Sequence, residues 1–209
     1  MRRKIPINDS GYYHVSSRGT YGRPIFRDDS EHELFLEIYE RTAAKYGWKT
    51  LAWSLMWNHH HFFICLTKGG LSNGMRALHS NYSRRINTKD DETNRGHLVR
   101  HCFFAGEAVT LDSIYRRARY VDLNPVRAGL CASPEEWEWS SFRATIGLEF
   151  PRPFHQPGEL LSLFDEDPRL ARRKYRRYVF EGMAKEDPVL CTEQGYEDEW
   201  GPRVVESAA

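Results

Sequence analysis

Apolar and polar positions along this chain alternate with a period of two in some stretches and recur every three to four residues in others. Residues 12–17 read as a first strand. Residues 30–46 follow as a helix, with Ser30 as a candidate N-cap and Leu34, Ile38 and the Ala43-Ala44 pair at helical spacing. Residues 49–57 and 59–67 read as paired strands, and Gly69-Gly70 breaks the pattern before a helix over about 71–86. Residues 87–96 are polar and predict an exposed loop; residues 101–105 predict another strand, and Asp112 caps the helix after it. This order predicts an α+β fold, an antiparallel sheet covered by helices. After Phe150 the composition changes. PRPFHQPG reads as a linker, and residues 168–183 as an Arg/Lys-rich helix whose Leu170, Tyr175, Tyr178 and Val179 can pack on the body. Weak order is expected beyond Glu186. The expected division is residues 1–150 as the main domain and 151–209 as linker, basic helix and acidic tail.

The run from Leu51 to Leu66 contains Asn58-His59-His60-His61-Phe62. Side chains alternate faces along a strand, so His59 and His61 point one way and His60 the other. Two imidazoles on one face, about 7 Å apart along the strand, can converge on one cation. The competing reading is a coincidence of composition on a strand edge. A further ligand has to come from a separate element packed over this strand.

The segment IYRRARYVDLNPVRAGL, residues 114–130, offers one. If residues 115–124 are helical, Tyr120 and Asn124 share a face, presenting a phenol and an amide oxygen to the same place. Pro125 is expected to end that turn. The alternative is that Tyr120 is core and Asn124 a helix C-cap. Tyr82 is a competing nucleophile on an amphipathic helix, and His14 in the first strand is either near the site or an ordinary core or surface histidine. Trp137, Trp139 and Ser140-Ser141 look more like a packed corner than a base-stacking platform.

A chain of 209 residues can bury one sizeable core with an appendage. No apolar stretch reaches the roughly 20 residues that span a bilayer, and MRRKIPINDS lacks the apolar region of a secretory signal; a cytoplasmic protein without membrane contact is expected. Cys65, Cys102, Cys131 and Cys191 lack C-x-x-C spacing, which argues against a disulfide framework or structural zinc. The net charge of +1 hides an uneven distribution. Arginines crowd the middle of the chain and surround Tyr120, while the last residues are acidic. A charge run is either a solvated face or a phosphate-binding surface; the motifs nearby favour phosphate.

WSLMWNHHHFFI resembles the paired-histidine strand of the HUH single-strand DNA transposases, and YVDLNPVRAGL followed by WEWSSF resembles the nucleophile helix and downstream motif of their REP-associated tyrosine transposase branch, within the IS200-like transposases. The likeness reaches back to GYYHVSSRGTYGRPIF and through GGLSNGMRALHSNYSRRIN, covering about residues 11 to 147. It implies a ferredoxin-like fold, His59 and His61 as metal ligands, Tyr120 as nucleophile and Asn124 completing the metal site. Trp57 stands where the family usually has proline, His60 where it has a bulky apolar residue, Val99 where it has an aromatic, and Cys102 where arginine is common.

The implied function is a metal-dependent single-strand DNA transposase or endonuclease that cuts and rejoins DNA through a 5′-phosphotyrosine, with Mg²⁺ or Mn²⁺ as cofactor. Single-stranded or hairpin DNA is the implied partner, and the family allows a homodimer. Arg18, Arg23, Arg84, Arg85, Arg116 and Arg127 are the candidate DNA contacts, with Arg27 beside them. Two other functions stay open: a module that binds hairpin DNA or RNA without cutting, and a metal-dependent hydrolase using water in place of tyrosine.

Overall fold

A computed structural model describes residues 7–89, 96–100 and 103–184. Its sheet has four strands, β1 (Gly11–Arg18), β2 (Lys49–Met56), β3 (His59–Leu66) and β4 (Phe104–Ala108), in the order β2-β3-β1-β4 with every neighbouring pair antiparallel. The helices are α1 (Asp29–Tyr46), α2 (Leu71–Lys89), α3 (Leu111–Arg127), α4 (Phe142–Ile146), α5 (Gly158–Leu161) and α6 (Pro168–Glu181). α1 connects β1 to β2 and α2 connects β3 to β4, so each crossover skips one strand. This is the ferredoxin-like arrangement that the family resemblance implied, built on the expected α+β order.

Strand alternation divides the interior in two. Tyr13, Val15, Trp53, Leu55, Phe62 and Ile64 join Phe35, Tyr39, Met75 and Tyr82 of α1 and α2 in one core. Phe63, Cys65 and Ala108 join Ala118, Val121, Phe142, Tyr175 and Val179 on the other face, beneath α3, α4 and α6. A bulge between Thr50 and Ala52 changes the alternation locally, and Leu51 and Ala52 both enter the second core.

Several boundaries differ from the expected ones for identifiable reasons. Asp28, not Ser30, caps α1, because its carboxylate accepts the Glu31 N–H at 3.0 Å. Thr110, not Asp112, caps α3: Thr110 and Ser113 exchange side chain-to-backbone hydrogen bonds at 3.0 and 3.1 Å in a capping box. Asp112 sits in the first turn and pairs with Arg116 at 2.8 Å. β4 begins at Phe104; His101 and Cys102, which the expected strand included, lie outside the described residues, as does the acidic tail.

The largest difference is at Pro125, which does not end α3 but lies inside it. Proline lacks the N–H that would bond to the carbonyl four residues earlier. That carbonyl belongs to Val121, and the buried Ser54 hydroxyl on β2 donates to it at 2.9 Å. The strand supplies the donor that the helix lacks, and the helix runs on to Arg127.

β2 is an edge strand, and later segments cover it. Leu55 N–H donates to the Trp139 carbonyl at 2.8 Å and Ser141 N–H to the Trp53 carbonyl at 2.8 Å. Trp137 Nε1 donates to the Leu55 carbonyl at 2.9 Å, and Trp139 stacks on His32, so this segment forms the packed corner its composition predicted. Phe154 and His155 of PRPFHQPG are buried, and Gln156 N–H donates to the Thr50 carbonyl at 2.8 Å. Beyond it, α6 buries Tyr175 and Val179 as expected but leaves Leu170 exposed.

Candidate active site

The hairpin between β2 and β3 sets His59 at the start of β3, and alternation directs His59 and His61 toward α3. His60 enters the other core, where its Nε2 lies 3.2 Å from Nε2 of His79 and its ring lies against Phe35. It is therefore outside the site.

On the α3 face, His61 Nδ1 is 2.8 Å from Nε2 of His14, and the two rings stack at 5.0 Å. His59 Nδ1 is 2.7 Å from Oδ1 of Asn58, and its Nε2 is 3.1 Å from Oδ1 of Asn124. Tyr120, one helical turn before Asn124, sets its ring edgewise to His14 at 5.3 Å and to His61 at 5.6 Å. The Arg127 guanidinium lies over the Tyr120 ring at 5.3 Å, within cation–π range. The helix thus brings Tyr120 and Asn124 onto the two same-face histidines of the strand.

The imidazoles are neutral at neutral pH because burial penalises their charged forms. Burial, assisted by the Arg117 charge, lowers His14 to about 3. Burial lowers His59 to about 4, against the opposing hydrogen bond to Asn124 and with help from the Arg18 charge. His61 is held well below its ordinary value by burial and by its histidine neighbours.

Neutrality has a consequence at His59. A neutral imidazole has one N–H, yet both ring nitrogens face amide oxygens, of Asn58 and Asn124. Donation to Asn58 leaves the Nε2 lone pair opposite the Asn124 oxygen, an arrangement that a cation between or beside them relieves. His61 presents a parallel case: Nδ1 is engaged by His14, and the buried Nε2 has no hydrogen-bond partner among the described residues. In each histidine a neighbour lies within hydrogen-bond distance of Nδ1, and with the proton on Nδ1 the Nε2 lone pair is open to a ligand, the outer-shell pattern that orients metal-binding imidazoles. Among the described residues no three histidine, cysteine or carboxylate side chains group as a metal cage. The candidate set is two imidazoles and an amide, and it fits an open divalent-cation site.

The other expected residues separate. Arg18 stands opposite His59 in the β1–β3 register, and Arg127 covers Tyr120. Arg116 is paired with Asp112 on the outer side of α3. Arg84 and Arg85 lie on α2, which covers the opposite sheet face, and Arg84 donates to Asn81 at 2.8 Å. Arg23 lines a surface groove near the end of β1. Tyr82, the competing nucleophile, is fully buried and donates its hydroxyl to the Ile25 carbonyl at 3.0 Å, so it is core. His14 enters the site because β1 pairs with β3 in the register that sets Ser16 opposite His61; the chain shows a histidine at that position, but only strand pairing shows what it meets.

No curated protein matches. A structure of the REP-associated tyrosine transposase bound to a REP hairpin aligns at TM-score 0.60 and 13% identity, covering 76% of this chain and 91% of that one. A crystal structure of a protein from Deinococcus radiodurans, described as a transposase, aligns at TM-score 0.41 and 16% identity over 58% of this chain and 96% of that one. The first of these identifies the fold as a transposase fold. The family described as "Transposase IS200 like" matches residues 8–122, more than half of the chain. The chain belongs to the IS200-like transposase family.

Proposed function

We propose that this protein is a metal-dependent single-strand DNA transposase or endonuclease, acting on hairpin-bearing DNA through a 5′-phosphotyrosine intermediate. The observation that carries this reading is the convergence of Tyr120 and Asn124, one turn apart on α3, on His59 and His61 of β3. Family membership supports the transposase class. The hairpin in the REP-associated relative supports a structured single strand as the substrate here.

Tyr120 is the nucleophile. Its oxygen gives up the phenol proton and attacks the scissile phosphorus, the bond from phosphorus to the 3′ oxygen breaks, and that oxygen leaves as a 3′ hydroxyl, so that one proton is released from Tyr120 and one is taken up by the leaving group. The 5′ phosphate stays on Tyr120 as a diester, so a 3′ hydroxyl can reverse the step and join another strand without ATP. A phenol ordinarily titrates near 10, so a tyrosine nucleophile needs a positive environment, and Arg127 over the ring contributes to one. His59, His61 and Asn124 would hold Mg²⁺ or Mn²⁺. Such an ion supplies Lewis-acid polarisation of a non-bridging phosphate oxygen. His14 and Asn58 fix the ring orientations of His61 and His59.

The test is denaturing-gel trapping with labelled hairpin DNA from beside the protein's own gene, with Mg²⁺ or Mn²⁺. The expected result is a metal-dependent covalent adduct that Tyr120→Phe abolishes while keeping hairpin affinity. Full cleavage by Tyr120→Phe would remove Tyr120 from the chemistry and favour a hydrolase. Binding without an adduct would favour a hairpin-binding module.

A further inference from the structure

Between β1 and α1 the chain makes a short 3-10 turn, Thr20–Gly22, in which Tyr21 has φ 56° and ψ 26°. Tyr21 is the one described non-glycine residue with positive φ, and it is 86% exposed. A left-handed conformation is costly for a bulky side chain, and glycine or asparagine would occupy it more readily. Exposure gives Tyr21 almost no burial in return. Neither the backbone nor the core therefore accounts for an aromatic residue here.

The turn is held in place. Gly19 N–H donates to the Asn58 carbonyl at 2.7 Å, Thr20 N–H to the Leu98 carbonyl at 3.0 Å and Gly22 N–H to the Gly19 carbonyl at 3.0 Å. A Cβ on Gly19 would lie 1.9 Å from the Arg23 carbonyl oxygen, so the turn closes tightly only with glycine there. Beside it opens a groove of about 810 Å³ lined by Tyr21, Arg23, Arg27, His97, Leu98 and Arg100, among others. Asn58 joins the turn to the candidate active site: its Nδ2 reaches the Gly22 carbonyl at 3.4 Å, while its Oδ1 meets His59 Nδ1 at 2.7 Å.

We propose that Tyr21 is a stacking platform for a base of the single strand flanking the hairpin, with the adjoining phosphates held by Arg23 and Arg100. An aromatic face offered to solvent beside cationic side chains is the combination that binds single strands, since every base has a face to stack and every linkage a phosphate to pair. Arg27, which pairs with Glu31 at 2.7 Å, lines the same groove. Asn58, in contact with both this turn and His59, ties the proposed subsite to the histidine site. This inference rests on the single-strand reading above and adds a binding subsite to it.

The test is equilibrium binding in EDTA of a blunt hairpin and of the same hairpin with a short single-stranded extension on its 5′ or its 3′ side, for wild type, Tyr21→Phe and Tyr21→Gly. The extension should tighten wild-type binding, and Tyr21→Phe should keep that gain. Tyr21→Gly should lose about tenfold on the extended probe, the worth of one stacked base, with blunt-hairpin affinity unchanged and a Tm no lower than wild type. Wild-type affinity of Tyr21→Gly for the extended probes, or an equal loss on blunt and extended probes, would overturn the proposal. Because EDTA removes the chemistry, Tyr21-dependent binding without a Tyr120 adduct would sink the transposase reading alone. An adduct with Tyr21-independent binding would sink this inference alone.

Discussion

Tyr175 of α6 donates its hydroxyl to Asp122 of α3 at 2.5 Å, two residues past Tyr120. Both side chains are fully buried, and the other Asp122 oxygen accepts from Ser141 at 3.0 Å. Ser141 Oγ in turn accepts the Trp53 N–H at 2.8 Å, so one chain of polar contacts links α6, α3, the segment before α4 and the edge strand. Tyr175→Phe removes the donor from a buried carboxyl. It should cost about 1–3 kcal/mol in chemical denaturation and reduce adduct formation by loosening the helix that carries Tyr120. Unchanged stability would mean that α6 is held by apolar packing alone.

The pH response follows from opposed groups. Seven histidines, at positions 14, 32, 59, 60, 61, 79 and 155, are lowered from their ordinary value, burial being the leading cause in each. Their contribution is complete above the unfolded histidine pKa and is lost as pH falls below about 6.5. Burial raises Asp122 to about 7, so its contribution has the opposite sign: present below the unfolded value of 3.8 and lost as pH rises toward 7. Seven groups outweigh one. The metal-free protein should therefore lose Tm steadily below about pH 6.5, and Asp122→Asn should steepen that loss between pH 4 and 7 by removing the compensating group. A flat Tm from pH 7 to 4 would contradict the neutral, buried state of the histidines.

Ser54 and Pro125 make a complementary pair around the Val121 carbonyl. Ser54→Ala leaves that carbonyl without its donor in a buried setting and should destabilise by about 1–3 kcal/mol. Pro125→Ala restores a helical N–H, so the double variant should recover most of the loss when both are compared by urea denaturation. Additive destabilisation would show that the serine is important for another reason.

The paired change His59→Ala and His61→Ala should abolish the divalent-ion response of cleavage while leaving hairpin affinity within about threefold, since the buried imidazoles carry no charge to a phosphate. Unchanged Mg²⁺ or Mn²⁺ dependence would exclude this pair as the metal site. Asn124→Ala alone should raise the metal concentration needed for half-maximal cleavage, as expected for loss of one ligand from an open set.

The order of strands and helices was legible because each element carries its own period and its own breakers, as at Gly69-Gly70. So was the facing of His59 and His61, which needs only strand alternation. Pro125 misled because its local meaning, a helix stop, was overridden by a hydroxyl from a residue 71 positions earlier in the chain (125 − 54). The same limit applies to His14: sequence separation hides a neighbour that only the β1–β3 register supplies. Tyr21 was hidden for a different reason, since exposure and a positive φ leave no periodic trace.

The match to the family ends at residue 122, within α3 and between Tyr120 and Asn124. A chain shortened to that boundary would keep the proposed nucleophile but lose the amide ligand candidate. One shortened to residue 150 would keep both, yet it would uncover Val121, Phe142 and Leu123 where Leu160, Tyr175 and Val179 now pack, and would leave Asp122 without Tyr175. The packing that holds the Tyr120 helix therefore extends through α6. Grafting the Tyr120 helix into another member of the family would require carrying its C-terminal brace along with it.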